Sequence, residues 1–125
     1  ARSCASSVLS NALRRCAITG PTMTVSCACA SALTAVSHAC TLLQAGEVDA
    51  VIAGGYDPIA EFSYGGFAAL QLISPNTLNP FSKDRAGMKI GEGVALVILR
   101  RLQDVPLESS QEIIGYISFI IFIAH

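Results

Sequence analysis

Residues 22–46 read TMTVSCACASALTAVSHACTLLQAG, and this stretch decides the fold. Its first part, residues 22–27, contains β-branched residues and alternates in polarity, which predicts a strand. Its second part, residues 30–45, is rich in alanine and repeats apolar residues at helical spacing. Gly46 follows directly, so the pattern predicts a helix that ends at a glycine stop. A strand that runs into a helix indicates an α/β layer with a right-handed crossover.

Cys29 lies at the predicted junction of this strand and helix, between Ala28, Ala30 and Ser31. A helix N-terminus stabilises negative charge, which favours the thiolate, and its free backbone N–H groups can bind an oxyanion. The small neighbours leave room for a substrate carbonyl. The arrangement is typical of a nucleophile in acyl transfer, and the alternative is an inert buried thiol.

The segment around Cys29 resembles the active-site signature of β-ketoacyl synthases, the condensing enzymes of fatty-acid and polyketide synthesis. Three further segments resemble the same family in order and spacing, namely GEVDAVIAGG at 46–55, NPFSKDRAG at 79–87 and IGEGVALVIL at 90–99. The resemblance implies an α/β thiolase-like layered fold of the αβαβα type. Residues 1–105 would belong to the N-terminal ketosynthase half, and residues 106–125 would begin the C-terminal half.

The resemblance also implies a mechanism and partners. Cys29 would accept an acyl group from an acyl carrier protein, and a malonyl thioester would then be condensed with it by decarboxylation, without a cofactor. Phe67, in GGFAAL at 65–70, resembles an aromatic residue of the acyl-chain pocket, and the alternative is an ordinary core phenylalanine. Residues 22–27 resemble the family's interface strand, which implies a homodimer.

Part of the family's machinery is missing from this sequence. The histidine and lysine motifs that drive decarboxylation are absent, and the likeness ends at about residue 117. His38 follows Cys29 by nine residues on the predicted helix, which places it on the opposite face. We therefore expect residues 1–125 alone to be inactive.

Two other functions remain open at this point. A non-catalytic partner subunit of the same fold is one, although such subunits typically lack the nucleophile. A cysteine hydrolase with a nucleophile elbow is the other, but that motif places glycine two residues on either side of the nucleophile. Cys27 and Ser31 occupy those positions here.

Composition narrows the function classes further. The 125 residues are 52% hydrophobic and 14% charged, with a net charge of −1, which favours neither nucleic acid nor an anionic membrane as partner. Five cysteines without a Cys-x-x-Cys pattern indicate a reducing cytoplasm, and the sequence offers no convincing metal-ligand set. The apolar tail at 113–123 is too short for a membrane helix and predicts a buried strand.

The remaining patterns predict further elements. Glu92 is expected to anchor a hydrogen bond rather than act as an acid, and the pairs Arg14-Arg15 and Arg100-Arg101 to be solvated ends of elements. The predicted elements are a helix at 7–15, a strand at 49–53 closed by Gly54-Gly55, a short helix at 67–73, a loop at 74–85, a fully buried strand at 93–99, a turn at 106–110 and a strand from 112.

Overall fold

A computed structural model describes residues 5–105, 114, 115 and 117. The elements in chain order are α1 (Ala5–Arg15), α2 (Ser31–Gln44), β1 (Ala50–Asp57), α3 (Glu61–Ala69), β2 (Gly93–Arg100) and a 3-10 turn at Leu102–Asp104. The two strands are hydrogen-bonded neighbours in a two-stranded sheet. This combination of helices and paired strands agrees with the predicted α/β class.

The chain forms two compact units. The first is made of the described residues up to 54 together with the described residues from 96 onward, and the second of residues 55–95. In the first unit the buried apolar side chains are Ala39 and Leu43 on α2 and Ala53 on β1. In the second unit Ser74, the first residue of the predicted loop, is buried.

Helix α2 and its glycine stop agree with the prediction. Gly46 adopts a φ of 73°, a conformation that favours glycine. Its N–H donates to the carbonyl of Leu43 at 3.2 Å, and the N–H of Glu47 donates to the carbonyl of Leu42 at 3.1 Å. This pair of bonds is a Schellman motif, which satisfies the last carbonyls of the helix.

Helices α1 and α3 end in the same motif without a glycine. Gln71 takes the left-handed position after α3 with a φ of 58°, and Ala17 does so after α1 with a φ of 53°. The N–H of Gln71 donates to Ala68 at 2.9 Å, and that of Leu72 donates to Phe67 at 3.0 Å. A side chain in this conformation costs about 1–2 kcal/mol, so two of the three helix ends are strained.

The strand predicted at residues 22–27 is not formed. No backbone group of residues 22–26 makes a hydrogen bond within the part of the chain that the structure describes. The polarity of this segment does alternate, but a β-strand forms only when a neighbouring strand pairs with its backbone. Met23 is 53% exposed, so this segment keeps an apolar side chain and its backbone groups unpartnered.

The bounds of two further elements were also wrong, and each of these elements contains a pair of glycines. Strand β1 continues through Gly54-Gly55 to Asp57, because Gly54 adopts a φ of 152° that a side chain would rarely tolerate. Helix α3 spans Glu61–Ala69 rather than residues 67–73 and contains Gly65 and Gly66 in its interior. Each glycine inside a helix costs about 1 kcal/mol of stability relative to alanine. The glycine pair therefore predicted that no helix would continue through residues 65 and 66.

Strand β2 forms where it was predicted, but the prediction that it is fully buried fails for this chain. Val94, Leu96 and Ile98 are 72%, 65% and 72% exposed, and Val97, on the other face, is 41% exposed. Among the described residues one strand neighbours β2, and no layer covers its faces. The apolar sequence of β2 is typical of a strand buried on both faces, and the described residues do not bury it.

Residues 74–85 form a loop, as predicted, and backbone hydrogen bonds join the chain segments on its two sides. Ser74 N–H donates to the carbonyl of Met88 at 2.8 Å, and Met88 N–H donates to that of Leu72 at 2.8 Å. Gly87 adopts a φ of 123°, and a Cβ there would lie 2.6 Å from the oxygen of Leu72. Glycine is therefore required at this closure.

The predicted turn at 106–110, and the predicted strand and apolar tail from 112 onward apart from residues 114, 115 and 117, lie outside the described residues. Among the described residues no helix is both long enough and apolar enough to cross a membrane.

Candidate active site

Cys29 lies within a tight turn that leads directly into α2. The N–H of Ala30 donates to the carbonyl of Cys27 at 3.0 Å, and the N–H of Ser31 donates to that of Ala28 at 3.1 Å. Ala28 adopts a φ of 47°, the left-handed conformation that an L-residue adopts only with strain. The turn therefore reverses the chain at Ala28 and delivers Cys29 two residues before the helix begins.

The hydroxyl of Ser31 holds this turn from within the helix. Its Oγ accepts a hydrogen bond from the N–H of Cys27 at 2.8 Å and donates one to the carbonyl of Ala28 at 2.7 Å. The N-cap residue Ala30 cannot cap the helix with its side chain, and Ser31 supplies the polar contacts one residue later. Sequence reasoning treated Ser31 only as a small neighbour, although a hydroxyl at a helix start is a recognisable capping signal.

The start of α2 can stabilise a negatively charged group bound there. An α-helix leaves its first four N–H groups without partners inside the helix. In α2 the N–H of Ser31 is bonded back to Ala28, and that of Thr34 donates to Ala30 at 2.9 Å. The amides of Ala32 and Leu33 remain oriented towards the N-terminal end, where the helix dipole is positive. The exposed thiol of Cys29 lies at this end of the helix.

The other candidate groups on α2 do not join this site as bases. His38 is exposed and lies nine residues after Cys29, so the helical geometry directs it away from the turn. Cys40 is half-buried further along the same helix. The described residues contain no group of three or more His, Cys, Asp or Glu side chains that could hold a metal ion.

Phe67 lies in the last turn of α3, in the second unit of the chain. Its side chain is half-buried, whereas Phe62 on the same helix is 93% exposed. Phe67 is therefore the more buried of the two phenylalanines of α3. Whether this ring lines an acyl pocket stays a prediction.

Glu92 forms the structural contact that was expected of it. Its Oε2 accepts a hydrogen bond from the backbone N–H of Ile59 at 3.4 Å. This contact ties the residue before β2 to the segment before α3 within the second unit. The expectation of an anchoring role is thereby confirmed.

Arg101 is the residue that sequence reasoning misjudged most. Rather than a solvated strand end, its guanidinium binds the C-terminal end of α2 and the loop beyond it. One Nη donates to the carbonyls of Leu43 at 3.1 Å and Val48 at 2.8 Å, and the other donates to Asp49 Oδ1 at 2.9 Å. The Nε binds the carboxylate of Asp104.

The acceptors around the Arg101 guanidinium change its pKa. The hydrogen bond to the Asp49 carboxylate, assisted by Asp104, raises the pKa of Arg101 above its ordinary value. A permanent positive charge at a helix C-terminus also interacts favourably with the helix dipole. The helix that begins beside Cys29 is therefore fastened at its opposite end.

Comparisons with known proteins agree with the resemblance drawn from the sequence. The family model described as "Beta-ketoacyl synthase, N-terminal domain" matches residues 1–105. The chain is 41% identical over 87 residues to PKS-NRPS hybrid synthetase ATPKS of Aspergillus niger, covering 68% of this chain and 5% of that protein. It is 32% identical over 108 residues to 3-oxoacyl-[acyl-carrier-protein] synthase 2 of Rhizobium meliloti, covering 78% of this chain and 26% of that protein.

A solved structure shows the same likeness in three dimensions. The chain matches a ketosynthase of Xenorhabdus doucetiae, determined in complex with its chain length factor, with a TM-score of 0.70 and 38% identity. The match covers 76% of this chain and 24% of that one. The likeness confirms the thiolase-like fold class, and the chain spans about a quarter or less of the length of these relatives.

Proposed function

This chain belongs to the β-ketoacyl synthase family, and we propose that it contributes the nucleophile-bearing part of an enzyme that forms carbon–carbon bonds by decarboxylative condensation. Residues 1–105 would form part of the N-terminal ketosynthase half and residues 106–125 the start of the C-terminal half. The observation that carries the proposal is the exposed thiol of Cys29 at the turn that opens α2.

In the first step the Cys29 thiolate attacks the carbonyl carbon of an acyl thioester carried by an acyl carrier protein. The tetrahedral intermediate places its negative charge near the backbone amides at the start of α2, which suits an oxyanion site. The carrier thiol leaves, and the acyl group stays on Cys29. Ala28 and Ala30 leave the approach to the thiol open.

In the second step a malonyl thioester loses CO2, and the resulting carbanion attacks the acyl group on Cys29. The new carbon–carbon bond forms as the bond to sulfur breaks, so Cys29 is released as the thiolate and a β-ketoacyl thioester is formed. The histidine and lysine groups that assist decarboxylation in this family are not among residues 1–125. We therefore propose that residues 1–125 alone do not complete the cycle.

Substrate selection is proposed to involve Phe67. A half-buried aromatic ring can act as the wall of a channel, because it offers an apolar surface that an acyl chain can contact. A ring at the end of a pocket takes the volume of several methylene groups. The chain length of the accepted acyl group would then depend on this side chain.

The proposed partners are an acyl carrier protein with its thioesters and a second copy of the protein. Residues 22–26 support the second of these, because their backbone groups are unpaired in the part of the chain that the structure describes and could pair with another strand. An odd number of cysteines fits a reducing compartment, for which we propose the cytoplasm.

The second candidate is a non-catalytic partner of a ketosynthase, and the solved relative indeed occurs with a chain length factor. Cys29 with its small neighbours favours the catalytic subunit, because a subunit that only shapes a pocket has no need of a nucleophile at the helix start. Membership of the family argues against a cysteine hydrolase.

The test is acyl transfer to Cys29 in the intact protein. A short exposure to an acyl carrier protein charged with a radiolabelled acyl group, followed by peptide mapping, should place the label on Cys29. Cys29→Ala should abolish labelling, and Cys16→Ser, which removes another exposed thiol, should not. Label on another cysteine, or release of free acid without an acyl-enzyme, would contradict the proposal.

A further inference from the structure

The proposed mechanism leaves one exposed thiol beside the nucleophile unused. Cys27 lies two residues before Cys29, and both side chains are exposed. Each belongs to the same turn, in which the N–H of Ala30 donates to the carbonyl of Cys27 at 3.0 Å. A second thiol this close to a reactive one can change its chemistry.

The turn shortens the separation of the two cysteines relative to an extended chain, which favours a disulfide bond between them. In extended chain two residues span about 7 Å, which exceeds the separation of about 4.4–6.8 Å between the Cα atoms of a disulfide. Ala28, the residue between the cysteines, adopts a φ of 47° instead, so the backbone curls and shortens that separation. The side chain of Ala28 is a single methyl group, so the residue between the two cysteines adds little bulk to the turn.

We propose that Cys27 is the resolving thiol of Cys29 in a reversible oxidation by hydrogen peroxide. The Cys29 thiolate attacks one oxygen of the peroxide, the O–O bond breaks and water leaves, which gives a sulfenic acid on Cys29. The Cys27 thiolate then attacks the sulfur of that sulfenic acid and displaces a second water. In sum, two thiols and one peroxide give one disulfide and two waters, and a dithiol reductant reverses the reaction.

The disulfide protects the nucleophile as well as blocking it. A sulfenic acid without a nearby thiol is oxidised further to the sulfinic and sulfonic acids, and this damage is generally irreversible. Exposed disulfides are the ones that reductants reach easily, which suits a transient state in a reducing compartment. Cys40 cannot replace Cys27, because it lies nine residues into α2, about 13.5 Å along the helix axis from Ser31.

Two readouts on the intact protein test this proposal, and the first does not depend on its function. After limited peroxide treatment, mass spectrometry of non-reduced peptides should find the peptide with Cys27 and Cys29 lighter by two hydrogen atoms, and dithiothreitol should restore its mass. In Cys27→Ser the same peptide should gain oxygen on Cys29 instead. Cys16→Ser, the matched control, should behave as the wild type. A disulfide to another cysteine, or equal oxygen gain with and without Cys27, would overturn the proposal.

The second readout rests on the proposed function of Cys29. Acyl transfer should be lost on peroxide treatment and recovered with dithiothreitol in the wild type, and should recover at least about tenfold less in Cys27→Ser. If the disulfide forms but acyl transfer persists in the oxidised protein, the redox proposal stands and the assignment of Cys29 as nucleophile fails. If Cys27→Ser recovers as fully as the wild type, the protective role of Cys27 is refuted.

Discussion

Arg101→Ala tests whether the far end of α2 is fastened by the guanidinium. The variant removes two hydrogen bonds to the carbonyls of Leu43 and Val48, and those to the carboxylates of Asp49 and Asp104. The Asp49 side chain is 95% exposed, so that ion pair adds at most about 1 kcal/mol. The contacts to the two carbonyls come from a charged donor that is 24% exposed and are worth about 1 kcal/mol each.

We therefore expect the end of α2 to lose about 2 kcal/mol of local stability, with the ion pairs adding little. The amides to follow are those of Gly46 and Glu47, which close the helix on the carbonyls of Leu43 and Leu42. Hydrogen exchange of the intact protein, read by mass spectrometry on a peptide that covers residues 43–50, reports the opening of these bonds. A loss of 2 kcal/mol corresponds to exchange about 30-fold faster.

Arg100→Ala is the matched control, because Arg100 is exposed and makes no side-chain hydrogen bond or ion pair among the described residues. Its exchange over the same peptide should stay within about twofold of the wild type, as expected for a surface change. Arg101→Lys keeps the charge but not the fork of donors, so it should fall between the two. Equal exchange in Arg101→Ala and Arg100→Ala would refute the assigned role.

Three further predictions concern the turn, a helix end and the acyl pocket. Ser31→Ala should lower the rate of acyl transfer to Cys29, because two hydrogen bonds worth about 1–2 kcal/mol together no longer hold the turn, and Ser31→Thr should retain most of that rate. Gln71→Gly should raise the thermal midpoint by relieving about 1 kcal/mol of left-handed strain, whereas Gln44→Gly at the last position of α2 should lower it. Phe67→Ala should move the preferred acyl chain to longer lengths, by about fourfold in kcat/KM per added methylene, and Phe62→Ala, whose residue is exposed, should not.

Each of these predictions has an outcome that contradicts it. Equal acyl transfer rates in the alanine and threonine variants of Ser31 would show that its hydroxyl does not support the turn. A fall in the thermal midpoint of Gln71→Gly would mean that the lost side chain matters more than the relieved backbone. An unchanged chain-length profile in a folded Phe67→Ala protein would return Phe67 to the core.

The elements that sequence predicted best are those that depend on local interactions. Helix α2 could be predicted because its apolar spacing and Gly46 act over a few residues. The strand at residues 22–27 failed because pairing needs a neighbour that the local pattern does not specify. Strand β2 shows the same limit, since its apolar run identified the strand but not what covers it.

In the candidate site too, the features that depend on local sequence could be predicted and those that depend on distant residues could not. The position of Cys29 at the helix start was predictable from the residues on either side of it. The role of Ser31 was accessible in principle, since a hydroxyl at the start of a helix often binds the preceding turn. Arg101 could not have been found, because its partners at residues 43, 48 and 49 lie more than fifty positions earlier in the sequence.

The apolar sequence that leaves both faces of β2 exposed also affects the unfolded chain. VALVIL at residues 94–99 has no charge, no proline and a strong β-propensity, which are the properties of segments that stack into cross-β aggregates. Glu92 precedes this run and Arg100 and Arg101 follow it, so charged residues flank it as gatekeepers. In the folded chain Arg101 is bound to α2, and the protective charge beyond the strand falls chiefly to Arg100.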